Sequence, residues 1–253
     1  MGKNSYILIP RKSKQSRILQ NTIKNYKGAI KLFFNFLVDE GFRMSNPIEN
    51  LHIRGIRKTI HHNLFDFEEL EDFYYSYTTE NIQFPHSPSV AMRNKVIIGF
   101  MIYQGMNSTA LKSLKVEHIH LNKGKVYIPS TRKANSRTLE LKSNQILLLV
   151  QYLEIHRAIL QEKIDNYTEA LFPIKDDRFY ISYTICKEIR KFNHKLTNIK
   201  QIRASVIVYW LSQYNIREVQ YMAGHRYISS TERYVQENLE SLQEVIESLH
   251  PIN

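Results

Sequence analysis

The sequence predicts a mainly α chain with one small β-sheet, in a helical module over residues 1–60 and a larger module over 64–253. Three observations carry this reading. Glycine (8) and proline (7) are scarce in 253 residues, which favours helices joined by short loops. Apolar residues recur mostly at three- and four-residue intervals, the helical period. Residues 125–129 (KVYIP) and 137–141 (RTLEL) alone read as strands, and they flank a turn at Arg132, Lys133, Ala134 and Asn135.

In chain order, apolar residues at 19, 23, 26, 30, 33, 34 and 37 give a first helix that Gly41 is placed to end. Asn46-Pro47 marks a turn, followed by a short predicted helix. His61-His62 reads as linker, since no further metal ligands accompany it. Asp66 and Glu69 form a D-x-x-E start signal for a helix buried through Phe67, Leu70, Phe73, Tyr74 and Tyr77. Pro85 and Pro88 break the chain before a very apolar helix from about Val90 to Gly105, and a short helix covers 108–114. After the two strands, helical patterns fill 144–161, 181–193, 199–213 and 216–223. Leu239, Leu242, Val245, Ile246 and Leu249 then share one face of a C-terminal helix.

Charge narrows the function classes. The chain carries 35 Lys+Arg against 24 Asp+Glu, net +11, and the excess is uneven. Residues 1–58 hold 12 basic and 3 acidic side chains, net +9, and 59–80 hold 6 acids and no Lys or Arg, net −6. Residues 81–230 hold 22 basic and 10 acidic, net +12, and 231–253 hold 1 and 5, net −4. Two basic blocks separated by an acidic one suit two modules facing a polyanion, with nucleic acid the leading partner. Within the first block Lys24, Lys27 and Lys31 share a helical face, with Arg17 upstream and Arg54, Arg57 and Lys58 downstream, all candidate phosphate contacts. No helix pairs a basic face with a free apolar face, and no apolar run approaches the ~20 residues that span a bilayer, so a membrane is not an expected partner. One cysteine, Cys186, excludes an intramolecular disulfide framework. The expected location is the cytoplasm, on the nucleoid when DNA is bound.

Three boxes in the last third carry chemistry together. Lys200-Gln-Ile-Arg203, then Ala223-Gly224-His225, then Ser229-Ser-Thr-Glu-Arg-Tyr234-Val235 resemble the C-terminal signature of the tyrosine recombinases, or phage-type integrases. In that family an [H/K]-x-x-R box precedes a G-H pair, and the nucleophilic tyrosine follows nine residues after that histidine; here 225 + 9 = 234. Thr22 through Asn46-Pro47 resembles the family's helical (SAM-like) core-binding domain, and Leu64 to Leu70 the entry to its catalytic domain. Tyr103 to Asn107, followed by Leu111 to Ile119, resembles the segment that bears the family's first arginine. The hairpin around Thr131, Arg132 and Lys133 resembles the one whose turn carries a catalytic lysine.

The resemblance implies a site-specific recombinase or integrase of a mobile element, with double-stranded DNA as substrate. Tyr234 would attack the scissile phosphate and form a 3′-phosphotyrosyl bond. Arg203 would hold the phosphate through its two-pronged guanidinium. His225 would donate a hydrogen bond to the phosphate or assist the tyrosine's proton. Lys133 would protonate the departing 5′-oxygen, and Lys200 would act as a cationic donor where many members carry histidine. The covalent bond conserves the energy of the one broken, so no cofactor, neither ATP nor metal, is expected; the sequence shows no P-loop glycines and no clustered metal ligands. Each residue also has an ordinary reading: Arg203 as partner of Glu218, His225 as a helix cap, Lys133 as a turn lysine with Arg132 or Arg137 the functional neighbour.

The family's first arginine aligns with Asn107, which carries no charge. Losing one phosphate clamp costs a factor of about 10²–10³ in rate unless another group compensates. Arg132, Arg137 and Arg93 are the candidate substitutes. A catalytically weak relative that only binds and pairs DNA is therefore the rival reading, and a monomeric type IB topoisomerase-like nicking enzyme is a second. The C-terminal stripe suits packing on its own domain, as such stripes most often do, or, as the resemblance implies, docking on a neighbouring protomer in a DNA-bound tetramer, with room for accessory DNA-binding proteins.

Overall fold

The computed structural model describes residues 20–51, 64–79, 87–174 and 181–235. It divides into two compact units, Met1–Lys58 and Thr59–Asn253.

In the first unit, α1 (Gln20–Asp39) ends where expected, with Gly41 in the left-handed region at φ 74°. Residues 47–50 form turns, where the sequence suggested a short helix. The cause is local. Asn46 accepts the Ile48 N–H (3.0 Å) through Oδ1 and donates from Nδ2 to Lys31 O (3.1 Å) and Asn35 Oδ1 (2.6 Å), so it offers the backbone an alternative to helical bonding.

The second unit is built around α3 (Pro88–Tyr103), a helix apolar on every side and therefore enclosed on every side: Val96, Ile97, Ile98, Phe100, Met101 and Ile102 are all buried. Before it comes α2 (Phe67–Ser76), and the D-x-x-E signal is a true capping box: Asp66 accepts the Glu69 N–H while Glu69 accepts the Asp66 N–H. After α4 (Ser108–Ser113) a three-stranded antiparallel sheet follows in the order β1 (Ile119–His120), β2 (Lys125–Ile128), β3 (Arg137–Glu140). β1 was not foreseen, being two residues long and too short to show alternation. The β2–β3 register pairs Lys125 with Glu140 and Ile128 with Arg137.

The helix read at 144–161 is interrupted. α5 (Ser143–Gln151) passes through a π-turn at Tyr152–His156 into α6 (Arg157–Ile164). Anchors outside the helix sit at the break: the buried Tyr152 hydroxyl donates to Leu171 O (2.8 Å), and Arg157 Nη2 donates to Ala170 O (2.9 Å). α7 (Ile181–Ile189), α8 (Ile199–Gln213) and α9 (Ile216–Ala223) complete the unit, and residues 229–235 are helical again. Ser205 on α8 accepts the buried Phe65 N–H at 2.9 Å, fixing the entry to α2 against α8. Among the described residues no helix is long and apolar enough to cross a membrane. The C-terminal stripe from Leu239 to Leu249 lies outside the described residues.

Candidate active site

α8 and α9 position the first two groups. Asn198 caps α8 by accepting the Lys200 and Gln201 N–H groups, and Arg203 projects one turn later. Its guanidinium donates to two backbone carbonyls, Gly105 O through Nη1 and Ala223 O through Nη2 (2.7 Å). Glu218 is engaged elsewhere, in the capping box of α9 with Asn215, so the Arg203–Glu218 pairing does not occur. Burial pushes the Arg203 pKa down, with the Tyr234 phenol opposing.

Gly224 ends α9 in the left-handed region (φ 69°), and the His225 N–H returns to Gln220 O (3.0 Å). The cap reading of His225 therefore holds for its backbone, while the ring is free for another task. Its Nδ1 lies 2.9 Å from Thr231 Oγ1, and its Nε2 lies 3.4 Å from Arg203 Nη2. A guanidinium only donates, so Nε2 is the acceptor nitrogen and Nδ1 carries the proton toward Thr231. The His225 ring stacks nearly parallel on Tyr234, 8° between planes and 6.0 Å between centroids.

The β2–β3 hairpin reaches the same place. Ala134 bridges His225, Asn135 N–H donates to Gly224 O (2.9 Å), and Arg226 donates to Thr131 O (2.9 Å). The tip bearing Lys133 and Arg132, both exposed, is thereby held beside the histidine. Arg137, at the start of β3, is 3% exposed and lies against Gly224. Burial and the Arg203 charge push its pKa down to about 9, with Tyr221 opposing, so it stays cationic at neutral pH. Burial first, then the charges of Arg203, Arg137 and Arg233, push His225 down to about 4, so its imidazole is neutral.

A model of the phage integrase family matches residues 76–241, more than half of the chain. The chain belongs to the phage integrase family. Tyrosine recombinase XerC of Bacillus pumilus is 24% identical over 243 residues, 92% of this chain and 76% of the relative. XerC of Salmonella typhi is 20% identical over 229 residues, 88% of this chain and 71% of the relative. Two solved structures share the fold. XerH site-specific recombinase bound to palindromic difH substrate has a TM-score of 0.67 at 22% identity, covering 89% of this chain and 66% of that one. The Tn1549 transposon integrase in complex with transposon right end DNA has a TM-score of 0.59 at 14% identity, covering 90% of this chain and 80% of that one.

The remaining candidates of this integrase-family chain divide clearly. Lys200 is exposed in the first turn of α8, three residues before Arg203 and on the same face. Asn107 is the N-cap of α4, its Oδ1 accepting the Ala110 N–H at 2.9 Å, two residues from the carbonyl that holds Arg203. Arg93 is not brought to the site: its Nε and Nη2 donate to Asn94 Oδ1, and it lies beside Tyr152 and Tyr77. Of the lysine stripe on α1, Lys27 donates to Leu51 O and Lys31 pairs with Glu49 at 3.8 Å, while Lys24 is exposed. Arg17, Arg54, Arg57 and Lys58 lie outside the described residues.

Sequence reasoning missed Thr231. It is fully buried and holds the His225 ring in place. Its spacing of three from Tyr234 was the available signal, since both side chains then rise from one helical face.

Proposed function

We propose that this chain is a site-specific DNA recombinase of a mobile element, cutting and rejoining strands through a 3′-phosphotyrosyl bond at Tyr234. One observation carries the reading: Arg203, His225, Tyr234 and the hairpin tip converge on the backbone at residues 223–225, around an arginine with no acidic partner among the described residues. A guanidinium held by two carbonyls and a neutral imidazole keeps its full charge for an incoming anion.

In this scheme Arg203 orients the scissile phosphate. Tyr234 Oη bonds to phosphorus as the bond to the 5′-oxygen breaks. The phenolic proton passes to His225 Nε2, the acceptor nitrogen, and Lys133 gives a proton to the departing oxygen. Lys200 adds positive charge at the edge of the site. Reversal of these steps, with a different 5′-hydroxyl attacking, completes strand exchange and draws on neither ATP nor metal. The DNA complexes of XerH and of the Tn1549 integrase support duplex DNA as the substrate. Residues 1–60 then serve as the core-binding domain, with Arg17, Lys24, Lys27, Lys31, Arg54, Arg57 and Lys58 on phosphates, and 64–253 as the catalytic domain. The C-terminal helix docks on a neighbour in a tetramer on DNA, in the cytoplasm. Asn107 favours a second reading, a relative that binds DNA without cutting it.

The test is to incubate the protein with nicked duplexes carrying its own element's ends and resolve covalent adducts on denaturing gels. Wild type is expected to form the adduct and Tyr234→Phe none. Binding of those ends without an adduct removes the recombinase reading and leaves the DNA-binding one. An adduct with Tyr234→Phe means the nucleophile is another residue, and relaxation of supercoiled DNA lacking the site points to a topoisomerase-like activity.

A further inference from the structure

The guanidinium of Arg137 is an arginine without a counter-ion. It is 3% exposed, its Nε is enclosed with no hydrogen-bond partner, and among the described residues no carboxylate pairs with it. An unpaired charge at such depth is unfavourable, and here a second cation, Arg203, makes it more so. A structural arginine would be expected to find an acid or a set of carbonyls, as Arg157 does with Thr168 O and Ala170 O.

Its position is set by one pairing within the hairpin and one long-range contact. Pairing of Arg137 with Ile128 places it at the first residue of β3. The guanidinium then lies on the backbone of Gly224, so close that a Cβ there would sit 2.4 Å from Nη1 and 3.0 Å from Cζ. Arg203 holds the carbonyl of the preceding residue, Ala223, and His225 is the next residue. Two guanidinium groups thus flank consecutive residues of one turn, and the stacked His225–Tyr234 pair follows directly.

We propose that Arg137 is a second phosphate clamp, binding one non-bridging oxygen of the scissile phosphodiester while Arg203 binds the other, and so supplies the charge that Asn107 lacks. The assignment rests on the strand-transfer reading above. Asn107 carries no charge, and with its Oδ1 engaged in capping α4 it offers a phosphate only neutral amide N–H groups. The clamp reaches the phosphate from the sheet instead of from the helix start. Of the three candidate substitutes, Arg93 lies elsewhere and Arg132 is exposed at the hairpin tip, whereas Arg137 alone is buried beside Arg203.

The test compares wild type, Arg137→Met and Arg137→Lys on nicked site DNA with either an ordinary phosphodiester or a methylphosphonate at the scissile position. A methylphosphonate lacks one charged oxygen, so cleavage of it needs one clamp fewer. Arg137→Met is expected to lose about 10²-fold in adduct formation on the phosphodiester and to recover most of that loss on the methylphosphonate. Arg137→Lys, which keeps the charge without the fork, falls between. The melting temperature of Arg137→Met, free of DNA, is expected to rise, since an unpaired buried charge has gone; inorganic phosphate should stabilise wild type more than this variant. Equal loss on both DNA substrates with a lower melting temperature overturns the proposal in favour of a packing role, and wild-type cleavage by Arg137→Met overturns it outright. If Arg137→Met does not fold, wild-type rates for Arg137→Lys on both substrates overturn it too. If wild type forms no adduct, the recombinase reading fails while the phosphate arm still decides the clamp: Arg137-dependent stabilisation keeps it, and equal stabilisation removes it.

Discussion

Removing the imidazole of His225 should flatten the acid side of the protein's stability profile. In the folded chain its pKa falls from the usual 6.5 to about 4, through burial and then through the charges of Arg203, Arg137 and Arg233. A depressed pKa means the unfolded chain binds the proton more tightly. The contribution is therefore fully present above pH 6.5, declines as pH falls, and is gone below about 4. The shift corresponds to about 3 kcal/mol in total, since each pKa unit is worth about 1.4 kcal/mol. Urea unfolding at half-unit steps from pH 7.5 to 4.5, on wild type and His225→Gln, measures it. Burial also lowers the pKa of His118 and His156, so the difference between the two proteins is the quantity to read. Wild type should lose about 1 kcal/mol per pH unit more than the variant between pH 6 and 4.5. Parallel profiles, or an imidazole resonance of His225 titrating near 6 in DNA-free protein, would refute the reasoning.

Two substitutions probe the backbone around the site. Gly224→Ala puts a side chain at φ 69° and drives its Cβ to 2.4 Å from Arg137 Nη1 and 3.1 Å from Asn135 O, so stability should fall by about 2 kcal/mol and adduct formation with it; a urea midpoint equal to wild type would show that the turn has room. Asn107→Ala removes the cap of α4 and should lower stability by about 1 kcal/mol, with single-turnover cleavage at saturating DNA within about twofold of wild type; a tenfold slower cleavage would mean that Asn107 itself meets the phosphate.

Helix ends were legible because their signals are local. Asp66 with Glu69, and Gly41, each act within one turn, and each appears in the structure where the sequence placed it. The π-turn at Tyr152–His156 was not legible, because the groups that receive Tyr152 and Arg157 lie in the loop at 168–171, beyond the helix's own pattern. The site divides in the same way. The resemblance to the tyrosine recombinase signature, carried by the order and spacing of three boxes, singled out Arg203, His225 and Tyr234 together. The same spacing could not choose among Arg93, Arg132 and Arg137, since that choice depends on strand register and on Gly224, a residue far along the chain.

The net charge of +11 suggested a polyanion but could not say where it would be gripped. The structure adds that, among the described residues, Arg203 and Arg137 face no acid, and that burial first and their charges second keep the histidine between them and Tyr234 neutral. These facts are coupled. The field that holds His225 near 4 comes in part from Arg203 and Arg137, the groups that a phosphate in the proposed scheme would neutralise. In that scheme a bound phosphate would offset the arginine charges while burial persists, so Nε2 would be a better acceptor for the tyrosine proton with substrate in place than without it. In the empty site the imidazole is a weak base, so in the proposed scheme activation of Tyr234 would follow substrate binding and would need no moving part.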